Sequence, residues 1–209
     1  MNDATLAAAT PAASADRGRS PVFGWVLHNV VWIWLVALVV FFGAFNEYFF
    51  TIFNLQNVLV QATVLGMLAL AIALPLLVAE IDLSIPASAG FSSAIGVLAY
   101  SGLGLPWFPA MLVGVGTATA IGFFNGLCIT RLRMVSLIET LAMMIILQGA
   151  LLATTQGKTL TTMADGYVWI GQAAIGGWPV MPIVFLVALV GMAVMLRRTV
   201  LGRSIYAVG

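Results

Sequence analysis

The sequence predicts an all-α polytopic integral membrane protein with about six transmembrane helices. Apolar residues make up 62% of the 209 residues and charged residues 7%, with a mean hydropathy of +1.11. A soluble domain carries roughly 25% charged residues. Long stretches hold no charge, and a helix needs about 20 apolar residues to cross a hydrocarbon core of roughly 30 Å. Because backbone groups in lipid must bond within the chain, these stretches are predicted to be helices.

The predicted spans follow one another between short polar interruptions. Residues 1–21 are rich in Ala, Ser and Thr and are interpreted as a mobile cytoplasmic tail, which leaves residues 22–209 as the transmembrane domain. A polar loop with Lys158 and Asp165 separates the last two spans. The spans are predicted at residues 22–45, 52–79, two between 82 and 131 divided by Gly102-Leu-Gly-Leu-Pro106, 137–153 and 178–196.

Basic residues predict the orientation of these spans. Short cytoplasmic loops collect Lys and Arg, and in a six-span arrangement only Lys158 of the 8 basic residues falls on the opposite side. We therefore expect a cytoplasmic N-terminus in a plasma or bacterial inner membrane. The residues on the cytoplasmic side are Arg17, Arg19, Arg131, Arg133, Arg197, Arg198 and Arg203.

Several classes of function are excluded. A net charge of +1 offers no basic surface for nucleic acid. Cys128 and His28 are each the only residue of their type, so no metal site is predicted. The run Gln156-Gly-Lys-Thr159 ends like a phosphate-binding loop, but Leu152 stands where that loop requires glycine. No catalytic residue, ATPase site or cofactor is predicted.

Three amides, Asn54, Asn57 and Gln61, are spaced to lie on one stripe of the second span. A polar stripe in lipid must face protein or water. One interpretation is hydrogen bonding between helices with an N-cap from Asn54. The other is a hydrated path for a polar solute.

Two carboxylates, Glu80 and Asp82, lie at a membrane boundary between Pro75 and Pro86. Pro75 is predicted to kink the second helix, and Pro86 to lie in the first turn of the third helix with Ser84 as N-cap. A carboxylate at this depth in the membrane raises the free energy of the protein unless it is paired or in contact with water. Glu80 and Asp82 are therefore candidates for a functional site. Alternatively they are interfacial, with Asp82 accepting hydrogen bonds at the start of a helix.

Small residues recur every four positions in the fourth span and favour close helix packing, with Asn125 beside them. Ser136-Leu-Ile-Glu139 fits a capping box at the start of the fifth span, which would account for Glu139 without chemistry. The predicted packing residues are Gly114, Ala118, Gly122 and Gly126.

The chain resembles the permease subunits of bacterial ABC importers for ribose and related monosaccharides. The stretch Glu80-Ile-Asp-Leu-Ser84 is its most specific motif, although this chain has Ala79-Glu80 and Ile85-Pro86 where the family usually has glycines before and Val-Gly after. The other stretches that carry the resemblance are Asn54-Leu-Gln-Asn-Val-Leu-Val-Gln61, Gly122-Phe-Phe-Asn-Gly126 and Gly202-Arg-Ser-Ile-Tyr-Ala-Val-Gly209.

The resemblance implies a transport permease, not an enzyme, in a bacterial inner membrane. Its implied partners are ATP-binding subunits, a second permease copy, an extracytoplasmic sugar-binding protein and the lipid bilayer. Family members continue past Gly209, so the resemblance implies the N-terminal two thirds of a permease: a fragment, a truncated frame or a split subunit. The implied ATPase-coupling residues are Arg203, Tyr206 and Gly209, and the candidate substrate path is formed by Asn54, Asn57, Gln61, Glu80, Asp82, Ser84 and Asn125.

Two other interpretations stay open at this point. A secondary transporter places coupling-ion sites at broken helices, and the segment from Pro75 to Pro86 suits one. A membrane-embedded transferase would use Glu80 and Asp82 as acid, base or metal ligands.

Overall fold

The computed structural model describes residues 21–162 and 164–209, so all but the last residue of the predicted tail lies outside the described residues. The described chain is mainly helical, with one hairpin of two short strands. The elements are α1 (Pro21–His28), α2 (Val30–Phe45), α3 (Ile52–Leu76), α4 (Ile85–Ser101), α5 (Trp107–Arg131), α6 (Ser136–Thr155), α7 (Asp165–Gln172), β1 (Ala174–Ile175), β2 (Trp178–Pro179), α8 (Met181–Arg198) and α9 (Val200–Val208).

Four of these helices, α3, α5, α6 and α8, are long and apolar enough to cross a membrane. The apolar helix α2 is shorter, with 16 residues, and α4 has 17. A helix rises about 1.5 Å per residue, so the 25 residues of α3 exceed the thickness of a hydrocarbon core. The all-α, polytopic class predicted from the sequence is confirmed.

The chain divides into two units at Asn54. In the first unit, α1 and α2 are separated at Asn29, whose side-chain nitrogen donates to the Trp25 carbonyl at 2.8 Å. The turn before α3 is closed by Thr51 Oγ1, which accepts from the Asn54 backbone N–H at 3.3 Å. The predicted N-cap at Asn54 is therefore wrong: Thr51 has that role, and the Asn54 side chain donates back to the Phe49 carbonyl at 2.8 Å.

The second unit, Leu55–Gly209, is organised around α4, which packs against both α5 and α6. Its buried residues are small: Ser92, Ala94, Gly96 and Ala99. A Cβ added at Gly114 of α5 would lie 2.9 Å from the Ser92 carbonyl oxygen. Because neither contact surface carries large side chains here, the two backbones approach closely.

The region between α6 and α8 holds more structure than the polar loop that the sequence predicts. Helix α7 lies against the start of α5, where the Trp107 ring contacts Gly166. The strands β1 and β2 pair antiparallel, with Ile175 opposite Trp178. The predicted start of the last span at Trp178 is wrong for this reason, since Trp178 is a strand residue and α8 begins at Met181.

Helices α8 and α9 meet at a tight corner. Thr199 Oγ1 accepts from the Gly202 backbone N–H at 3.2 Å and so caps α9. Gly202 is buried against the Leu196 carbonyl, where a Cβ has no space. The exposed residues Arg203 and Tyr206 lie on the helix that follows.

Candidate functional site at the junction of two helices

The residues between α3 and α4 form a non-helical junction, which we define as Leu77–Ser84. Pro75 lies in the last turn of α3 and its carbonyl accepts from the Glu80 backbone N–H at 3.1 Å. Ala79 has φ of 59°, a left-handed conformation that reverses the chain. Pro75 lies inside α3, one residue before its end at Leu76, and the kink predicted there stays a prediction.

Asp82 organises the start of α4. Its Oδ1 accepts from the Ser84 backbone N–H at 2.8 Å and from Ser84 Oγ at 2.7 Å. This agrees with the predicted interaction of Asp82 with an amide at a helix start. Ser84 occupies the N-cap position, as predicted, but its side chain makes no capping bond, and Asp82 accepts the Ser84 N–H. Pro86 lies in the first turn, as predicted.

The junction runs alongside the first turns of α6. The Leu83 backbone N–H donates to Thr140 Oγ1 at 3.2 Å, and the Ile81 N–H makes a longer contact of 3.4 Å with Ser136 Oγ. Thr140 Oγ1 also lies 3.2 Å from the Ile81 carbonyl. Hydroxyl groups of α6 therefore form hydrogen bonds with backbone groups of the junction that have no partner within a helix. An irregular segment buried in a membrane protein requires such partners.

Asn125 of α5 reaches the same place from the other side. It is 3% exposed, and its amide lies 2.8 Å from Ser84 Oγ. In the reversed orientation of the amide, the oxygen accepts from Ser84 Oγ at 2.8 Å and the nitrogen lies 3.3 Å from Glu139 Oε1. Three elements thus meet at one buried polar cluster.

Glu139 is the residue whose role the sequence misjudged. Helix α6 begins at Ser136 with Val135 at the N-cap and without a side-chain capping bond, so the predicted capping box is wrong. Glu139 is instead 4% exposed beside Asn125, and its Oε2 has no hydrogen-bond partner among the residues that the structure describes. No local pattern could have placed this carboxylate beside Asn125 of another helix.

The three amides of α3 do not join this cluster. Asn57 and Gln61 are exposed, and Asn54 bonds to its own turn. Other polar side chains of α3 contact protein: Gln56 donates to the Gly177 carbonyl at 2.6 Å, and Thr63 is buried. The role of the predicted stripe as a substrate path stays a prediction.

The small residues of α5 divide into two groups. Gly114 packs against α4, where a Cβ added to it would lie 3.5 Å from the Gly96 Cα. Ala118 is half-buried and lines a cavity. A Cβ added at Gly122 or Gly126 would meet no described atom within 4 Å, so the packing predicted for these two residues stays a prediction.

Two cavities flank α4 towards its other end. One, of about 590 Å³, lies between α4 and α6 and is lined in part by Ser93, Gln148, Thr155 and Lys158. The other, of about 530 Å³, lies between α4 and α5 and also touches Ser93.

Tyr167 of α7 lines the second cavity. Its hydroxyl is buried and has no hydrogen-bond partner within the described ranges. Burial raises the pKa of the Tyr167 phenol, so it remains a neutral donor. The sequence did not single out Tyr167 or Ser93, because neither belongs to a recognisable motif.

The long apolar helices define a multi-pass membrane protein. The chain belongs to the family described as branched-chain amino acid transport system / permease component, which matches residues 54–209. It is therefore a membrane permease component, located in the bacterial inner membrane.

Within the described part of the chain, no three His, Cys, Asp or Glu side chains come together in a group that could hold a metal ion.

Curated relatives agree with this assignment. The chain is 32% identical to the ribose import permease protein of Escherichia coli (strain K12), over 88% of this chain and 59% of the relative. It is 32% identical to the ribose import permease protein of Bacillus subtilis (strain 168), over 84% and 55%. An autoinducer 2 import system permease protein of Enterobacter sp. (strain 638) is also 32% identical, over 83% and 51%.

The resemblance read from the sequence is confirmed at the level of the family. The chain spans between half and three fifths of the length of these relatives. No solved structure matches the chain significantly.

Proposed function

We propose that the chain forms the membrane-spanning permease, or the first part of it, of an ABC importer for a monosaccharide or a similar polar solute. The observation that carries this proposal is the family match over residues 54–209, together with relatives named as import permeases. The same match favours a transport component over a membrane-embedded transferase.

In this proposal, a partner subunit hydrolyses the ATP. The Gly-Lys-Thr run of this chain follows the end of α6, where Gln156 and Gly157 adopt positive φ values of 54° and 70°. A phosphate-binding loop requires instead a glycine-rich turn between a strand and a helix. The local geometry therefore supports the view that energy coupling takes place on another chain.

The cavities beside α4 suit a neutral, hydroxyl-rich solute. Ser93, Gln148 and Thr155 offer hydroxyl and amide groups, which exchange hydrogen bonds with sugar hydroxyls without carrying charge. Lys158 is the charged residue at this cavity. On this basis we extend the proposed solute path along α4. We also keep Asn57 and Gln61 in the proposed path, where they would face a second permease copy.

Helix α9 is the proposed docking element for the ATP-binding subunit. Arg203 and Tyr206 are exposed on it, available to a cytoplasmic partner. At the end of α9, a Cβ on Gly209 would meet the Leu77 carbonyl, so this helix touches the junction Leu77–Ser84. Movement of α9 would therefore displace Leu77, which belongs to the junction that leads to the start of α4.

Transport assays in lipid vesicles test the proposal. The chain is reconstituted with an ATP-binding subunit and a sugar-binding protein of a ribose importer, and uptake of radiolabelled ribose is measured. We expect accumulation that requires ATP on the side of the ATP-binding subunit. Uptake driven by a sodium or proton gradient without ATP would support a secondary transporter instead.

A further inference from the structure

Gln148 places an amide well inside the membrane-spanning helix α6. It precedes Thr155, the last residue of α6, by seven residues, which is about 10 Å along the helix axis. Its side chain is exposed at this depth. The residues one turn away are apolar and offer the amide no strong partner on its own helix: Met144, Ile145, Leu151 and Leu152. An amide within lipid raises the free energy of the protein unless it meets water, a solute or another polar group.

The Gln148 side chain lines the cavity of about 590 Å³ between α4 and α6, which we call the α4–α6 cavity. Small-molecule sites occupy roughly 300–1,000 Å³. A Cβ added at Gly90 of α4 would lie 3.9 Å from Leu151 Cδ2, so the two helices are within van der Waals reach at this level. The α4 side of the cavity is made of Gly90, Ser93, Ala94 and Val97.

The hydroxyl groups of the α4–α6 cavity have already used their hydrogens. Ser93 Oγ donates to the Ala89 carbonyl at 2.7 Å, and Thr155 Oγ1 donates to the Leu151 carbonyl at 2.8 Å. Because a hydroxyl has one hydrogen, both groups can only accept a hydrogen bond from a molecule in the cavity. The Gln148 amide offers a donor and an acceptor side by side. A molecule that fits these groups must therefore donate hydrogen bonds as well as accept them.

The α4–α6 cavity reaches the polar end of α6. Lys158 lines it and is exposed in the turn that follows the helix. The ammonium group is strongly hydrated, so this end of the cavity is open to water. The predicted topology places the same end on the extracytoplasmic side. A solute can therefore enter beside Lys158 and reach Gln148 without crossing lipid.

We propose that the α4–α6 cavity binds a neutral solute with two adjacent hydroxyl groups, and that Gln148 is the residue that selects it. The Gln148 nitrogen donates to one hydroxyl, and the neighbouring hydroxyl donates to the Gln148 oxygen. Carboxylate and phosphate groups only accept, so they leave the oxygens of Ser93 and Thr155 unpaired. This assignment rests on the proposed import of a hydroxyl-rich solute, to which it adds the residue and the chemical feature that is recognised.

The first part of the test asks whether water reaches Gln148. Gln148→Cys is introduced into the 209-residue chain with Cys128→Ala, and the protein is placed in lipid vesicles. We expect a small, charged, membrane-impermeant thiol reagent to label it. Ile146→Cys is the matched control, because Ile146 is exposed at nearly the same depth but points about 200° away around the helix. It should stay unlabelled.

The second part asks what Gln148 recognises. Leu152→Cys is the reporter, since Leu152 lines the same cavity and is exposed. We expect ribose to slow its labelling at a concentration roughly two- to tenfold lower than 2-deoxyribose, because each hydrogen bond contributes about that factor. In the double variant with Gln148→Leu, this difference between the two sugars should disappear. Circular dichroism reports whether each variant keeps its helices.

Three results would overturn the assignment. Equal labelling of Gln148→Cys and Ile146→Cys, or none at Gln148→Cys, would show that the amide does not face a separate aqueous cavity. Equal effects of ribose and 2-deoxyribose with Gln148 present would remove its selective role. Stronger protection by inorganic phosphate than by ribose would indicate an anion site at Lys158. Labelling needs no ATP-binding subunit, so selective protection without ATP-driven uptake would refute the importer and leave the binding site standing.

Discussion

The Ser84 hydroxyl and the Asn125 amide lie 2.8 Å apart and join the start of α4 to α5 across 41 residues of sequence. Ser84 is 1% exposed and Asn125 3%. The contact links two of the stretches that carry the resemblance to sugar permeases, Glu80–Ser84 and Gly122–Gly126. These stretches are far apart in the chain, but they form one structural unit that holds the broken junction in place.

The first prediction concerns Asp82, which accepts two hydrogen bonds from Ser84. Asp82→Ala removes the oxygen that accepts both hydrogen bonds, and hydrogen bonds to charged groups contribute about 1.5–3 kcal/mol each. We expect Asp82→Ala to lower the unfolding temperature in detergent and the amount of folded protein in the membrane. Asp82→Asn keeps an acceptor oxygen and should lose less. Glu80→Ala, in the same junction, is the control. If Asp82→Ala were as stable as that control, the structural role of Asp82 would be refuted.

The second prediction separates two glycines of one helix. A Cβ at Gly114 would lie 2.9 Å from the Ser92 carbonyl, whereas a Cβ at Gly122 meets no described atom within 4 Å. Gly114→Ala should cost about 1–3 kcal/mol through overpacking. Gly122→Ala should leave the chain as stable or gain roughly 0.5–1 kcal/mol from helix propensity. Unfolding in detergent measures both.

A loss of stability in Gly122→Ala comparable to that in Gly114→Ala would contradict this division. A Gly122→Ala variant that stays folded but no longer purifies as a dimer would place Gly122 against a second copy.

The third prediction concerns the corner between α8 and α9. Gly202 lies against the Leu196 carbonyl, so Gly202→Ala must displace α9 from α8. We expect the exposed bond after Arg203 to be cut faster by trypsin in this variant. Gly191→Ala, at a position of α8 where a Cβ meets nothing within 4 Å, is the control. Equal cleavage rates in both variants would show that the corner tolerates a side chain.

The fourth prediction is the topology, which rests on the distribution of basic residues. Single cysteines at Leu132 and Thr161, both exposed positions, are introduced into a Cys128→Ala background. An impermeant thiol reagent added to intact cells should label Thr161→Cys and leave Leu132→Cys unlabelled. The reverse pattern would invert the orientation, and labelling of both would contradict the span order. Labelling after cell lysis confirms that each cysteine is reactive.

Much of the architecture could be predicted from the sequence because membrane insertion depends on local composition. Charge-free runs of about 20 residues predict helices wherever lipid is the solvent. The end of α3 and the start of α4 could also be predicted approximately, because Pro75 and Pro86 restrict the backbone in any surroundings. Family membership was readable as well, because Glu80-Ile-Asp-Leu-Ser84 is a continuous motif.

The candidate site was only partly predictable. Asp82, Ser84 and Asn125 were singled out, but Glu139 was interpreted as a capping residue because Ser136-Leu-Ile-Glu139 fits that local pattern. The amides at Asn57 and Gln61 fit a stripe that the described second unit does not cover. A local sequence pattern shows which hydrogen bonds a segment can make within itself. It does not show which side chains of other segments offer alternative hydrogen bonds in the folded protein.

The sequence by itself determined the membrane class, the helices and the family of this protein, since each depends on residues adjacent in the chain. Only the tertiary structure decided that Glu139 faces Asn125, that Gly114 packs against α4, and that Thr140 binds the junction. These outcomes depend on which faces α4, α5 and α6 turn towards one another. Those faces are determined by the packing of small side chains that lie far apart in the sequence. The sequence of a single helix therefore does not predict them.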